Sequence, residues 1–217
     1  MDHTRHLGIF NASNLSVTII GAGGIGAITA IVLAKMGVAV MDMYDDDKVD
    51  EINIATQFHR ISDIGKPKTY AMYDALRDYS DTKYQEHYYR ATATTLFASD
   101  IVISAVDSIN ARKDIWEAVK LSQPDWYLDA RMSSEIFQLF VINMKDQKRV
   151  EAYDKQLAAV SEESVSEEPC TSKATIYTAA MAAGHLGRAV RLIATSKNDS
   201  LPYLTVHNIL HNNLFSV

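Results

Sequence analysis

Residues 17–20, Val-Thr-Ile-Ile, run directly into Gly21, Ala22, Gly23, Gly24, Ile25 and Gly26, and an apolar helical pattern follows to Met36. The first four residues are largely β-branched and lack polar alternation, which predicts a short strand buried on both faces. Gly21, Gly23 and Gly26 fit the spacing G-x-G-x-x-G. The first glycine of such a turn permits a tight bend, the second lets backbone approach a phosphate, and the third lets helix pack on strand. A helix starting there offers free N–H groups and a positive dipole end to an anion. A strand before the motif and a helix after it give it the context of a nucleotide-binding turn.

The pattern repeats down the chain. Residues 38–44 form a second apolar run, ending in Asp45, Asp46 and Asp47. An acid at the end of a second strand can accept from a ribose hydroxyl; three adjacent acids also suit a solvated loop or helix cap. Residues 48–60 read as polar and weakly helical. Pro67 opens an amphipathic helix to about Tyr79. Lys68 beside it either faces an anion or is a solvated surface lysine. Residues 84–90 alternate as a strand. Residues 100–106 are another buried, parallel-type strand and end at Asp107. That acid lies where parallel sheets bind ligands, or caps the helix read over 111–120. Further strands are read at 126–129 and 135–144.

Residues 145–173 read as a mobile crossover loop, because the run 161–168 is acidic, serine-rich and has one apolar residue. A long helix follows over 174–195, with small residues at four-residue spacing (Ala180 and Gly184, Ala183 and Gly187) that permit close helix packing. Residues 203–217 suit two short strands turning at Asn212 and Asn213, and residues 1–14 form a polar arm able to dock on a neighbouring subunit. The sum is one α/β domain: a Rossmann-like, doubly wound, mostly parallel sheet with helices on both faces and a C-terminal antiparallel extension.

A formal net charge of −6 argues against general affinity for nucleic acid or anionic membrane. The single cysteine, Cys170, excludes an intrachain disulfide and a four-cysteine zinc site. No signal segment or membrane-length apolar run is visible, so the expected location is cytoplasmic.

Taken together the motifs resemble the ThiF/MoeB-type adenylyltransferases, the superfamily that includes ubiquitin-activating enzymes, over nearly the whole chain. The glycine turn with its extra Gly24 is similar to that family's nucleotide loop. Asp45 and Asp47 are similar to its ribose and metal-side acids, and Asn53 and Gln57 to two members of its Asn-x-x-Arg-Gln segment. The segment 63–68 is similar to its lysine motif, Asp107 with Arg112 to its Mg²⁺-proximal aspartate and following helix, and residues 129–135 and 168–177 to segments of its bacterial branch. Arg5 is similar to an N-terminal arginine that reaches the partner's site in family dimers.

The resemblance implies an ATP- and Mg²⁺-dependent enzyme. It would join the C-terminal glycine carboxylate of a small ubiquitin-like or sulfur-carrier protein to the α-phosphate of ATP, releasing pyrophosphate, and would work as a homodimer. Lys68 and Asp107 would serve the phosphates and Mg²⁺, Asn53 and Gln57 would donate hydrogen bonds, and Asp45 would accept from the ribose. Cys170 is either a thioester-forming nucleophile or a small buried hydrophobe. Two departures stand out: Thr56 replaces the family's arginine, with Arg60 one helical turn on or Arg5 in trans as substitutes, and there is no Cys-x-x-Cys pair. A catalytically weakened nucleotide-binding scaffold and an NAD(P)-dependent oxidoreductase are the alternatives.

Overall fold

The computed structural model describes residues 2–160 and 174–217, so Cys170 and the acidic run 161–168 lie outside the described residues. Eight strands form one sheet in the order β3-β2-β1-β4-β5-β6-β7-β8. The strands are β1 (Ser16–Ile20), β2 (Val40–Tyr44), β3 (Lys83–His87), β4 (Ile101–Ser104), β5 (Trp126–Ser133), β6 (Ile136–Asn143), β7 (Leu204–Asn208) and β8 (Asn213–Ser216). The first five are parallel neighbours, and β6, β7 and β8 each run antiparallel to the strand before. The expected parallel sheet with its antiparallel C-terminal extension is the architecture found.

β1 is central because both its faces are covered. Val17 and Ile19 join the core under helices α2 (Gly24–Lys35), α3 (Lys68–Tyr79) and α6 (Ile176–Ala194). Ile20 joins the opposite core, with Ile115, Trp116 and Val119 of α4 (Ile109–Ser122) and Tyr153 and Leu157 of α5 (Gln147–Ala158). α2 is apolar almost all round, as a helix enclosed between a sheet and two other helices must be. Its seam with α6 is tight: a Cβ on Gly187 would lie 2.9 Å from Cγ1 of Val32 and 3.3 Å from Sδ of Met36. Ala183 and Gly187 therefore serve a contact within the chain, whereas Ala180 and Gly184 are exposed. The N-terminal arm also meets its own chain. It carries a short helix, α1 (Thr4–Leu7), and the imidazole of His3 lies against Gly37.

Three sequence expectations are corrected. Residues 147–158, read as loop, form α5. Asp146 caps it by accepting from the N–H groups of Lys148 and Arg149, and its apolar residues Val150, Tyr153 and Leu157 share one face against the sheet. β5 runs to Ser133 instead of stopping at 129, because Asp129 and Arg131 are paired beneath α5 rather than solvated. Residues 48–60 contain one 3-10 turn, Glu51–Asn53, and no α-helix.

Candidate nucleotide site

The strand order reverses between β1 and β4, and the crevice at their carboxyl ends is where doubly wound sheets bind ligands. The glycine turn lies there. Gly21 has φ +99°, and a Cβ on it would come 2.6 Å from the carbonyl oxygen of Ala105, at the end of β4. A Cβ on Gly26 would lie 1.8 Å from the carbonyl oxygen of Gly21, so helix and turn touch backbone to backbone. Gly23 faces the Gln57 carboxamide, whose Nε2 would be 3.8 Å from an added Cβ. Gly24 instead faces protein: the Thr56 carbonyl oxygen would be 3.0 Å from its Cβ, with Ala179 and Met132 close by.

Side chains clamp the turn at Ala22. Its N–H donates to Oδ2 of Asp45 at 2.7 Å, and its carbonyl accepts from Nε2 of His59 at 2.9 Å. Oδ1 of Asp45 also accepts from the N–H of Asp47. Burial pushes the Asp45 carboxyl above the usual carboxylate range, against the Lys68 charge and these two N–H donors. Burial likewise holds the His59 imidazole below its ordinary value, with the Lys68 charge acting in the same direction. Nδ1 of His59 and Oε1 of Gln57 are buried without a hydrogen-bond partner.

Lys68 is not a solvated surface lysine: it is 5% exposed. The start of α3 is tied to the chain leaving β2 by bonds from Lys68 N–H to the Asp47 carbonyl and from Val49 N–H to the Lys66 carbonyl. The ammonium group then sits 2.8 Å from Oδ2 of the exposed Asp47. Arg60 and Lys66 both pair with buried Asp63. Arg60 precedes a second 3-10 turn, Ile61–Asp63, and does not share a helix with Thr56, so the expected one-turn substitution has no helix to act through.

Asn53 uses its side-chain oxygen to accept from the N–H of Asp50 in a capping box. Asp107 is exposed in the β4–α4 connection and does not cap α4; Ser108 does, accepting from the N–H of Ala111. Arg5 lies in α1 of the arm, whose His3 packs on Gly37 beyond the far end of α2, a twelve-residue helix about 18 Å long that starts at the glycine turn. Among the described residues the acids that converge are Asp45, Asp46 and Asp47, with ligand atoms within 4.8 Å of one another, and Asp107 is not one of that group. The role of His59 is not legible in the sequence, because it lies in irregular chain and acts through a single contact with Ala22.

A family model described as the ThiF family matches residues 4–217. The chain belongs to the ThiF family. Ubiquitin-like modifier-activating enzyme 5 of Dictyostelium discoideum is 31% identical over 125 residues, which is 50% of this chain and 33% of that protein. A probable adenylyltransferase/sulfurtransferase MoeZ of Mycobacterium tuberculosis is 41% identical over 64 residues, 29% of this chain and 16% of that one. This ThiF-family chain thus spans about a third or less of the length of these relatives. Among solved structures, E. coli MccB with ATP superposes with a TM-score of 0.74 at 19% identity, covering 95% of this chain and 64% of that one. E. coli tRNA N6-threonylcarbamoyladenosine dehydratase, TcdA, gives 0.66 at 16% identity, covering 91% and 92%. At these identities the structural likeness speaks for the ThiF fold. Among the described residues no helix is long and apolar enough to cross a membrane.

Proposed function

We propose that the chain is an ATP-dependent adenylyltransferase acting on the C-terminal carboxylate of a small ubiquitin-like or sulfur-carrier protein, in the cytoplasm and as a homodimer. The carrier carboxylate oxygen attacks the α-phosphorus of ATP, the α–β bridging bond breaks, and pyrophosphate leaves with the bond's electron pair. The observation that carries this reading is Lys68: a buried ammonium, fixed at the start of α3 beside the carboxylate-clamped glycine turn of a ThiF-family chain. Nucleotidyl transfer depends on positioning and on neutralising charge spread over phosphate oxygens, and a point charge held in place supplies that.

The residues present fit a nucleotide. Gly23 leaves backbone open to a phosphate, the start of α2 offers its N–H groups, and Gln57 and His59 hold buried polar atoms with no partner. Asp45 takes the ribose, while Asn53 keeps its amide N–H groups for hydrogen bonds. Asp107 offers one exposed carboxylate for Mg²⁺, which is held by one or two carboxylates together with substrate phosphates. A Mg²⁺ ion held there would supply positive charge to offset that of the leaving pyrophosphate. Arg5 serves the partner's site, and the Cys170 thiolate attacks the carrier's acyl adenylate, forming a thioester as the acyl–oxygen bond breaks and AMP leaves.

Thr56, with Arg60 committed to Asp63, favours a second reading: a scaffold of the same fold that binds nucleotide and transfers slowly. Both readings predict that the chain binds ATP–Mg²⁺ by calorimetry, does not bind NAD⁺, and loses ATP on Lys68→Ala. Binding of NAD⁺ without ATP overturns both and favours an oxidoreductase.

A further inference from the structure

Asp129 is fully buried in the middle of β5, paired with Ser104 at the end of β4, and takes three donors. Oδ1 accepts from Nη1 of Arg112, a residue 2% exposed on α4. Oδ2 accepts from Nε of Arg131 at 2.7 Å and from the Tyr153 hydroxyl of α5 at 2.8 Å. Two guanidinium groups share that one carboxylate, the Arg131 one partly exposed. Such an arrangement adds little stability over an apolar packing of the same volume.

Arg112 has a second engagement. Its Nη2 donates to the backbone carbonyl of Val106, the residue before Asp107. The stretch 105–107 abuts the glycine turn, since a Cβ on Gly21 would meet the Ala105 carbonyl at 2.6 Å and Cγ1 of Val106 at 3.4 Å. One planar guanidinium therefore spans a buried carboxylate and the backbone that carries Asp107. A guanidinium presents those two donors in a rigid fork, whereas a lysine ammonium is a point charge on a flexible stem.

We propose that Arg112, held by Asp129, is a positioning residue that fixes segment 105–107, so that the Asp107 carboxylate and the glycine turn keep one mutual placement for a divalent metal–nucleotide complex. The inference rests on the adenylyltransferase reading for what Asp107 does there, but not for the mechanical link itself.

The test uses the full chain with Arg112→Lys, which keeps the charge on Asp129 and loses the fork, and with Tyr153→Phe, which removes one Asp129 donor and perturbs folding less. Hydrogen exchange without nucleotide should quicken at 105–108 in both variants, more in R112K, and stay unchanged in β1. Calorimetry with ATP should show an unchanged affinity without Mg²⁺ and a Mg²⁺-dependent gain reduced about tenfold in R112K, as for loss of an outer partner of a metal ligand. Asp107→Asn should remove that gain, and the double variant D107N/R112K should lose no more than D107N alone.

Unchanged exchange at 105–108 overturns the proposal. So does faster exchange spread evenly over the chain, or a loss of affinity equal with and without Mg²⁺, since a merely structural role gives both. If the unaltered chain binds no ATP, the adenylyltransferase reading fails, and the exchange measurement alone decides the link.

Discussion

His59 and Ala22 are joined by a hydrogen bond of 2.9 Å from imidazole Nε2 to the peptide carbonyl in the middle of the glycine turn. A carbonyl only accepts, so Nε2 carries the proton. The N–H of the same Ala22 is held by Asp45, so both polar atoms of one residue are fixed by side chains from separate segments. That leaves the neighbouring peptides of Gly23 and Gly24 set in direction before any ligand arrives, which is how a loop binds phosphate without ordering cost.

His59→Phe keeps the volume and removes the bond. Nucleotide affinity should fall by about two- to tenfold, the worth of one ordinary hydrogen bond. Calorimetric titration with ATP measures it; an unchanged affinity would show that the turn holds itself.

Stability should also depend on pH through the histidines. Burial lowers the pKa of His59, and burial with the nearby His207 and Arg188 lowers that of His185. A lowered folded-state value means the unfolded chain binds more protons. The contribution is complete above the unfolded value of about 6.5 and is lost as pH falls through the folded value. The melting temperature should therefore drop between pH 7.5 and 5.5, and His59→Phe should flatten the drop. Asp63 and Asp154, whose values are lowered by side-chain hydrogen bonds against burial, matter only in more acid solution.

Two glycines separate binding from stability. Gly187→Ala pushes a methyl group into Val32 and should cost about 1–3 kcal/mol in chemical denaturation while leaving ATP affinity unchanged. Gly26→Ala cannot be accommodated without moving Gly21, so it should abolish ATP binding even where the chain still folds.

Asp146→Ala removes the N-cap of α5. Urea denaturation should show a loss of about 1 kcal/mol. No loss would mean that α5 is held by Tyr153 and Leu157 alone.

How much the sequence reveals follows from the range of the forces involved. β1, the glycine turn and α2 are legible because a short β-branched run, a turn and an apolar helix are local patterns. β4 is legible for the same reason, though it ends at Ser104 and Asp107 lies in the connection after it. α5 is not, because its exposed face is so charged that it resembles a linker and only Tyr153 and Leu157 are fully buried. The reach of β5 past Asp129 is hidden because the partners that satisfy Asp129 include Arg112 of α4 and Tyr153 of α5, which meet it only in three dimensions. In the site, Lys68 stands out beside Pro67 in sequence. Its burial does not, because that depends on the chain leaving β2 folding over the start of α3.

A site that transfers the adenylyl group differs from one that only holds ATP by forming and reversing the acyl adenylate. Exchange of labelled pyrophosphate into ATP tests that directly, with the full chain, Mg²⁺ and a cognate carrier ending in glycine. Label should enter ATP only when the carrier carboxylate is present and should not enter it with Lys68→Ala or Asp107→Ala. Tight ATP binding without exchange in the presence of that carrier would contradict it, and would leave Thr56 marking a chain that keeps the nucleotide and has lost the reaction.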